Sequence, residues 1–139
     1  MIWQYGWASI DLTPGDEYEH IDDEDSLLYY PIAYELRDEA KARFNHGNPV
    51  VDLIPVNGDY HLRITGKQNH RGQDHEDVLE FYRHVAREAP GSFGTLMVWD
   101  DEDKEGKHNE FVTYVMARGK VTAHKDPFLS PCMPTIEDP

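Results

Sequence analysis

His70, Asp74 and His75 place two imidazoles and a carboxylate within one short span, with His61 and His84 not far away in sequence. That donor set could hold zinc, and a bound zinc could activate water. The spacing does not support it strongly. Neither His-Glu-x-x-His nor a Cys-x-x-Cys pair is present. A small metal-dependent enzyme using His70, Asp74 and His75 is therefore the alternative reading, and no cofactor is expected. Asp101, Asp103 and Glu105, followed by Gly106, imitate the opening of a calcium loop. The position that should supply a bidentate Glu is Val112, so the match fails. Cys132 sits between prolines among apolar residues, which suits a packed, inert thiol better than a nucleophile.

Charge offers a different chemistry. The chain has 139 residues and carries 27 acids against 13 Lys and Arg, a formal net charge of −14. Phosphates would be repelled, which argues against nucleic acid and against an anionic membrane surface. A basic protein is the partner that fits. The acids are clustered. Asp16, Glu17, Glu19, Asp22, Asp23, Glu24 and Asp25 form one basic-free segment; Asp100, Asp101, Glu102, Asp103 and Glu105 form another. Brought to one edge by the fold, they make a single negative surface; otherwise they are two solvated loops. The candidate contacts are Asp22, Asp23, Glu24, Asp100, Asp101, Glu102, Asp103 and Glu105.

The second cluster lies between two runs rich in β-branched and aromatic residues, Phe93 to Trp99 and Phe111 to Arg118. These predict a hairpin. Both runs are apolar on both side-chain parities, which predicts central strands covered on at least part of both faces. Ile2 to Ile10 reads as a first strand. The spacing of Tyr29, Ile32 or Ala33, Leu36, Ala40 and Phe44 predicts a helix. Pro31 lacks an N–H, so the helix is expected to begin near Tyr30 and to hold Pro31 in its first turn.

Asn57-Gly58 predicts a two-residue hairpin turn. It pairs Leu53 with Leu62, Val51 with Ile64 and Asp52 with Arg63, and Pro55 points to an edge strand. A second helix is expected over about Gln73–Glu88, with Asp74 as N-cap and Val78, Phe81, Tyr82, Val85 and Ala89 buried. The Pro-rich tail from Asp126 should lie extended on the body. The expected fold is α+β: one domain over 1–139, with a largely antiparallel sheet of about five strands and two helices, in the order βαββαββ. Met1–Ile10 has no leader-like pattern and Cys132 is the single cysteine, so a reducing cytoplasm is the expected compartment.

Several segments resemble the immunity protein 7 family of bacterial polymorphic toxin systems. They are Ala89-Pro90-Gly91-Ser92-Phe93-Gly94, Trp99 to Asp103, Asn109-Glu110-Phe111, Arg118-Gly119-Lys120 and the long run from Asp126 to Asp138. Tyr5-Gly6-Trp7 and Gly66 with Asn69-His70-Arg71 are similar too. The resemblance covers most of Tyr5–Asp138. It implies a small cytoplasmic immunity protein that binds and neutralises a cognate toxin domain, without catalysis. It does not extend to the Tyr-rich stretch around Leu27–Tyr34, where contact specificity stays open.

Overall fold

A computed structural model describes residues 1–13, 23–69, 72–102 and 109–130, with only the backbone of 23–26. Its strands are β1 (Ile2–Ser9), β2 (Val50–Val56), β3 (Asp59–Gln68), β4 (Phe93–Asp100), β5 (Phe111–Ala117) and β6 (Lys120–Lys125). Its helices are α1 (Asp23–Arg43) and α2 (Gln73–Glu88). The strands form one antiparallel sheet in the order β2-β3-β1-β4-β5-β6.

Local chemistry explains the best-anticipated part. Asn57 and Gly58 take φ of 51° and 92°, so β2 and β3 close in the expected register, with Leu53 opposite Leu62 and Asp52 opposite Arg63. The guanidinium donates twice to the Asp52 carboxylate, at 2.6 and 2.9 Å. β2 is an edge strand, as Pro55 requires. β4 and β5 lie inside the sheet. Gly94 is needed at the start of β4, because a Cβ there would strike the Trp7 carbonyl and come within 2.7 Å of the Ala8 Cα.

Three expectations need correction. The sheet has six strands, not five, because Arg118 and Gly119 turn the chain at φ of 53° and 76° and β6 pairs back onto β5. β6 buries little, so no apolar alternation marks it; its Lys120 and Lys125 ends suit an exposed edge. Helix α1 begins at Asp23, about two turns before Tyr30, with Pro31 inside it. The proline deprives the Leu27 carbonyl of its partner. Leu27 and Pro31 are both exposed, so water can replace the lost bond and the proline is tolerated. Finally, Gly72 rather than Asp74 caps α2.

Both helices lie on one face of the sheet. Ile2, Ala8, Leu53, Leu62, Ile64, Leu96, Val98 and Met116 meet Ala33, Leu36 and Ala40 of α1 and Val78, Phe81, Tyr82 and Val85 of α2. Phe44 and Phe81 meet edge-on at 5.7 Å between the helices. The opposite face carries no helix among the described residues. There Trp3 stacks on Trp99 at 4.3 Å and Trp7 meets Phe93 edge-on. Trp99 and Phe111 are buried, whereas Trp7 and Phe93 are exposed, so β4 and β5 are covered on part of both faces. The tail is described as far as Ser130. The buried Asp126 carboxylate accepts from the Phe128 and Leu129 amides, and the Phe111 amide donates to Ser130 Oγ at 2.8 Å. The remaining tail lies outside the described residues.

Candidate functional site

The histidine–carboxylate cluster separates in three dimensions. His75 is buried in the first turn of α2, and Gln4 Nε2 donates to its Nδ1 at 3.0 Å. Asp74 is one position earlier, about 100° round the helix. It is exposed and accepts from Gln68 Nε2. His70 lies outside the described residues. Among the described residues, no three His, Cys, Asp or Glu side chains are grouped as a metal site would need.

The hairpin-tip acids differ among themselves. Asp100 is buried, and its carboxylate accepts from the Glu102 amide at 2.9 Å. Asp101 is exposed and accepts from the Met1 ammonium, with Glu102 3.9 Å from the same nitrogen. The hydrogen bond to Asp101 holds that ammonium's pKa above its usual value; burial opposes it, and the charges of Asp101, Glu102 and Asp100 add to the rise. Part of the tip charge is therefore balanced within the chain. Asp103 and Glu105 are outside the described residues, as is Asp22. Asp23 and Glu24 open α1, and only their backbone is described.

Strand pairing and hydrogen bonds fix where the described parts of the two acid segments lie. Asp100 is opposite Ile2, at the start of β1. The first half of α1 is tied to the other end of that strand: Tyr29 OH donates to the Ile10 carbonyl at 3.0 Å and accepts from the Tyr60 amide at 2.8 Å. Tyr30 OH donates to the Gly58 carbonyl in the β2–β3 turn. β1 spans roughly 25 Å at ~3.3 Å per residue, and α1 begins further out still. Asp100–Glu102 and the start of α1 are thus at opposite ends of the sheet, not on one edge.

The tyrosine-rich end contains a group of residues absent from the expected site. Tyr29 packs edge-on against Tyr30 at 5.3 Å, Tyr30 lies 6.0 Å from Tyr34, and Tyr34 meets Tyr60 edge-on at 5.8 Å. Arg37 lies over the Tyr34 ring at 4.8 Å and pairs with Asp38. Leu27, Leu28, Tyr30 and Tyr34 are 73%, 56%, 41% and 42% exposed. Partial burial pushes the Tyr29 hydroxyl up to about 12, with a smaller opposing effect from its bond to Tyr60. The sequence signal was available: Leu27, Leu28, Tyr30 and Tyr34 are apolar or aromatic but fall off the stripe formed by Tyr29, Ala33, Leu36 and Ala40.

Residues 1–138 match the profile of the family described as Immunity protein 7. No curated protein and no solved structure matches the chain. None of the helices among the described residues is long and apolar enough to cross a membrane.

Proposed function

Because the chain belongs to the Immunity protein 7 family, we propose that it binds a cognate toxin domain and blocks its activity through a stoichiometric complex. The toxin surface it meets is basic, as in a domain that acts on nucleic acid. The observation that carries this reading is the family match over nearly the whole chain, joined to a net charge of −14. An anionic surface speeds encounter with a basic partner and can occupy the groove where phosphates would bind. Asp22, Asp23, Glu24, Asp100, Asp101, Glu102, Asp103 and Glu105 are the candidate acids. Since the described parts of the two segments occupy opposite ends, one toxin domain meets one segment closely and feels the other as a longer-range field.

The test is association with the toxin domain encoded beside this chain's gene, followed by stopped flow at increasing ionic strength. The expected result is tight binding whose association rate falls as salt rises. A rate independent of salt would remove the electrostatic part. Lack of inhibition would remove the immunity role.

A further inference from the structure

At the Tyr-rich start of α1, Tyr29 packs on the core, but Leu27, Leu28, Tyr30 and Tyr34 are exposed and core packing does not account for them. Leu27 and the fully buried Leu36 are nine positions apart, about two and a half helical turns, so they project from opposite sides of α1. Leu27, Tyr34 and Asp38 continue the outward line at spacings of seven and four. A solvated helix face would ordinarily be polar there. Instead it presents two leucines and two tyrosines, all substantially exposed.

The patch is also held rigid before any partner arrives. Tyr29 uses its hydroxyl twice on backbone groups, the Ile10 carbonyl just beyond β1 and the Tyr60 amide of β3, and Tyr30 is bonded to the β2–β3 turn. The rings brace one another from Tyr29 through Tyr30 and Tyr34 to Tyr60. Fixed aromatic side chains lose little conformational entropy on binding, which is why tyrosine serves well as an interface anchor. The rim supplies the sign of the partner. Asp11 and Asp59 both act on the Tyr29 hydroxyl electrostatically, which places them at this end, and both are exposed. Glu35 and Asp38 are exposed on the helix itself. Arg37, the cation in this group, is held by Asp38 and the Tyr34 ring.

From this geometry we infer that the outward face of the first half of α1, centred on Leu27, Leu28, Tyr30 and Tyr34, is the docking surface for a positively charged face of the toxin domain. This rests on the immunity reading above and narrows it to one end of the molecule. The partner's Arg or Lys stems lie along Leu27 and Leu28, and their cationic heads meet tyrosine faces and the Asp11, Glu35, Asp38 and Asp59 carboxylates. The Asp100 end contributes steering and not close contact.

The experiment is calorimetric titration of the toxin domain encoded beside the gene with four forms of the full chain. The Leu27→Ala/Leu28→Ala pair alters side chains that are mostly in solvent, so folding is preserved and affinity should drop roughly tenfold or more. Tyr34→Ala should cost roughly tenfold to a hundredfold, while Tyr34→Phe, which keeps the ring, should bind nearly as the unaltered chain does. Thermal midpoints of all forms are measured alongside. Unaltered affinity in both the leucine pair and Tyr34→Ala overturns the docking surface while leaving the immunity role intact. Failure of the unaltered chain to bind overturns both. Should the leucine pair change self-association of the isolated chain, and not toxin affinity, the face is a contact between copies and the inference is wrong.

Discussion

The two ends of the sheet are built by different physics. At the Tyr29 end, hydroxyls buried to various degrees satisfy named backbone groups, and rings fill the space between α1 and β3. At the Asp100 end, exposed carboxylates and an exposed ammonium balance one another beside the start of β1. Both ends are acidic. At the Asp100 end the backbone is also held, by the Asp100–Glu102 amide bond and by the Asp101 amide on the Met1 carbonyl, but its exposed side chains meet only through charge, whereas those of the first end are braced by rings and by bonds to the backbone. A rigid, partly apolar surface can hold a partner; a solvated charge pair chiefly attracts one.

Three measurements test this difference, beginning with the largest effect. Tyr29→Phe removes a donor to Ile10 and an acceptor for the Tyr60 amide, leaving two partly buried backbone groups to find water. It should cost about 1–3 kcal/mol in urea unfolding. A loss below the error of that measurement would erase the contrast.

Alkaline titration comes next. The Tyr29 hydroxyl ionises at about 12 in the folded chain against 10.0 unfolded, because burial disfavours the anion. Burial raises Tyr82 as well. A group whose folded pKa is raised contributes stability that is complete below the unfolded pKa and lost as pH rises through the folded one. The thermal midpoint should therefore hold up to about pH 10 and fall between about pH 10 and 12. Tyr29→Phe should make that fall shallower.

The smallest effect is expected at the opposite end. Asp101→Asn removes the carboxylate from the exposed Met1 pair and should change stability by ~0.5 kcal/mol or less, less still at high salt. A larger loss, insensitive to salt, would mean that the hairpin tip is as firmly braced as the tyrosine end.

Two turns show why part of the fold was readable and part was not. Asn57-Gly58 carries its own conformational preference and lies between strands with strict apolar alternation, so its register followed from the residues. Arg118-Gly119 adopts a similar left-handed geometry, but an arginine at positive φ is a poor signal, and β6 has almost no buried face to mark it. It is stabilised by pairing with β5, which no local pattern reveals. Pro31 misled for a related reason. The rule against proline inside helices assumes that the freed carbonyl is costly, and exposure at Leu27 removes much of that cost.

The candidate site was readable in the same uneven way. The acids of Asp100–Glu102 were visible as a cluster, but the burial of Asp100 and its bond to the Glu102 amide were not. His75 looked like a ligand beside Asp74 and is instead a core residue bonded to Gln4, seventy-one positions away.

What the amino-acid sequence determined unaided is what neighbours along the chain can enforce: the Asn57-Gly58 hairpin, the buried stripe of α2 and the excess of negative charge. Those depend on side-chain periodicity, turn geometry and counting. Tertiary structure alone decided that Asp100–Glu102 and the start of α1 stand at opposite ends of the sheet and that α1 turns its leucines and tyrosines outward. Both outcomes depend on contacts between residues distant in sequence, Tyr29 with Ile10 and Tyr60, Ile2 with Asp100. Such contacts form only when the strands pair and the helices settle on them.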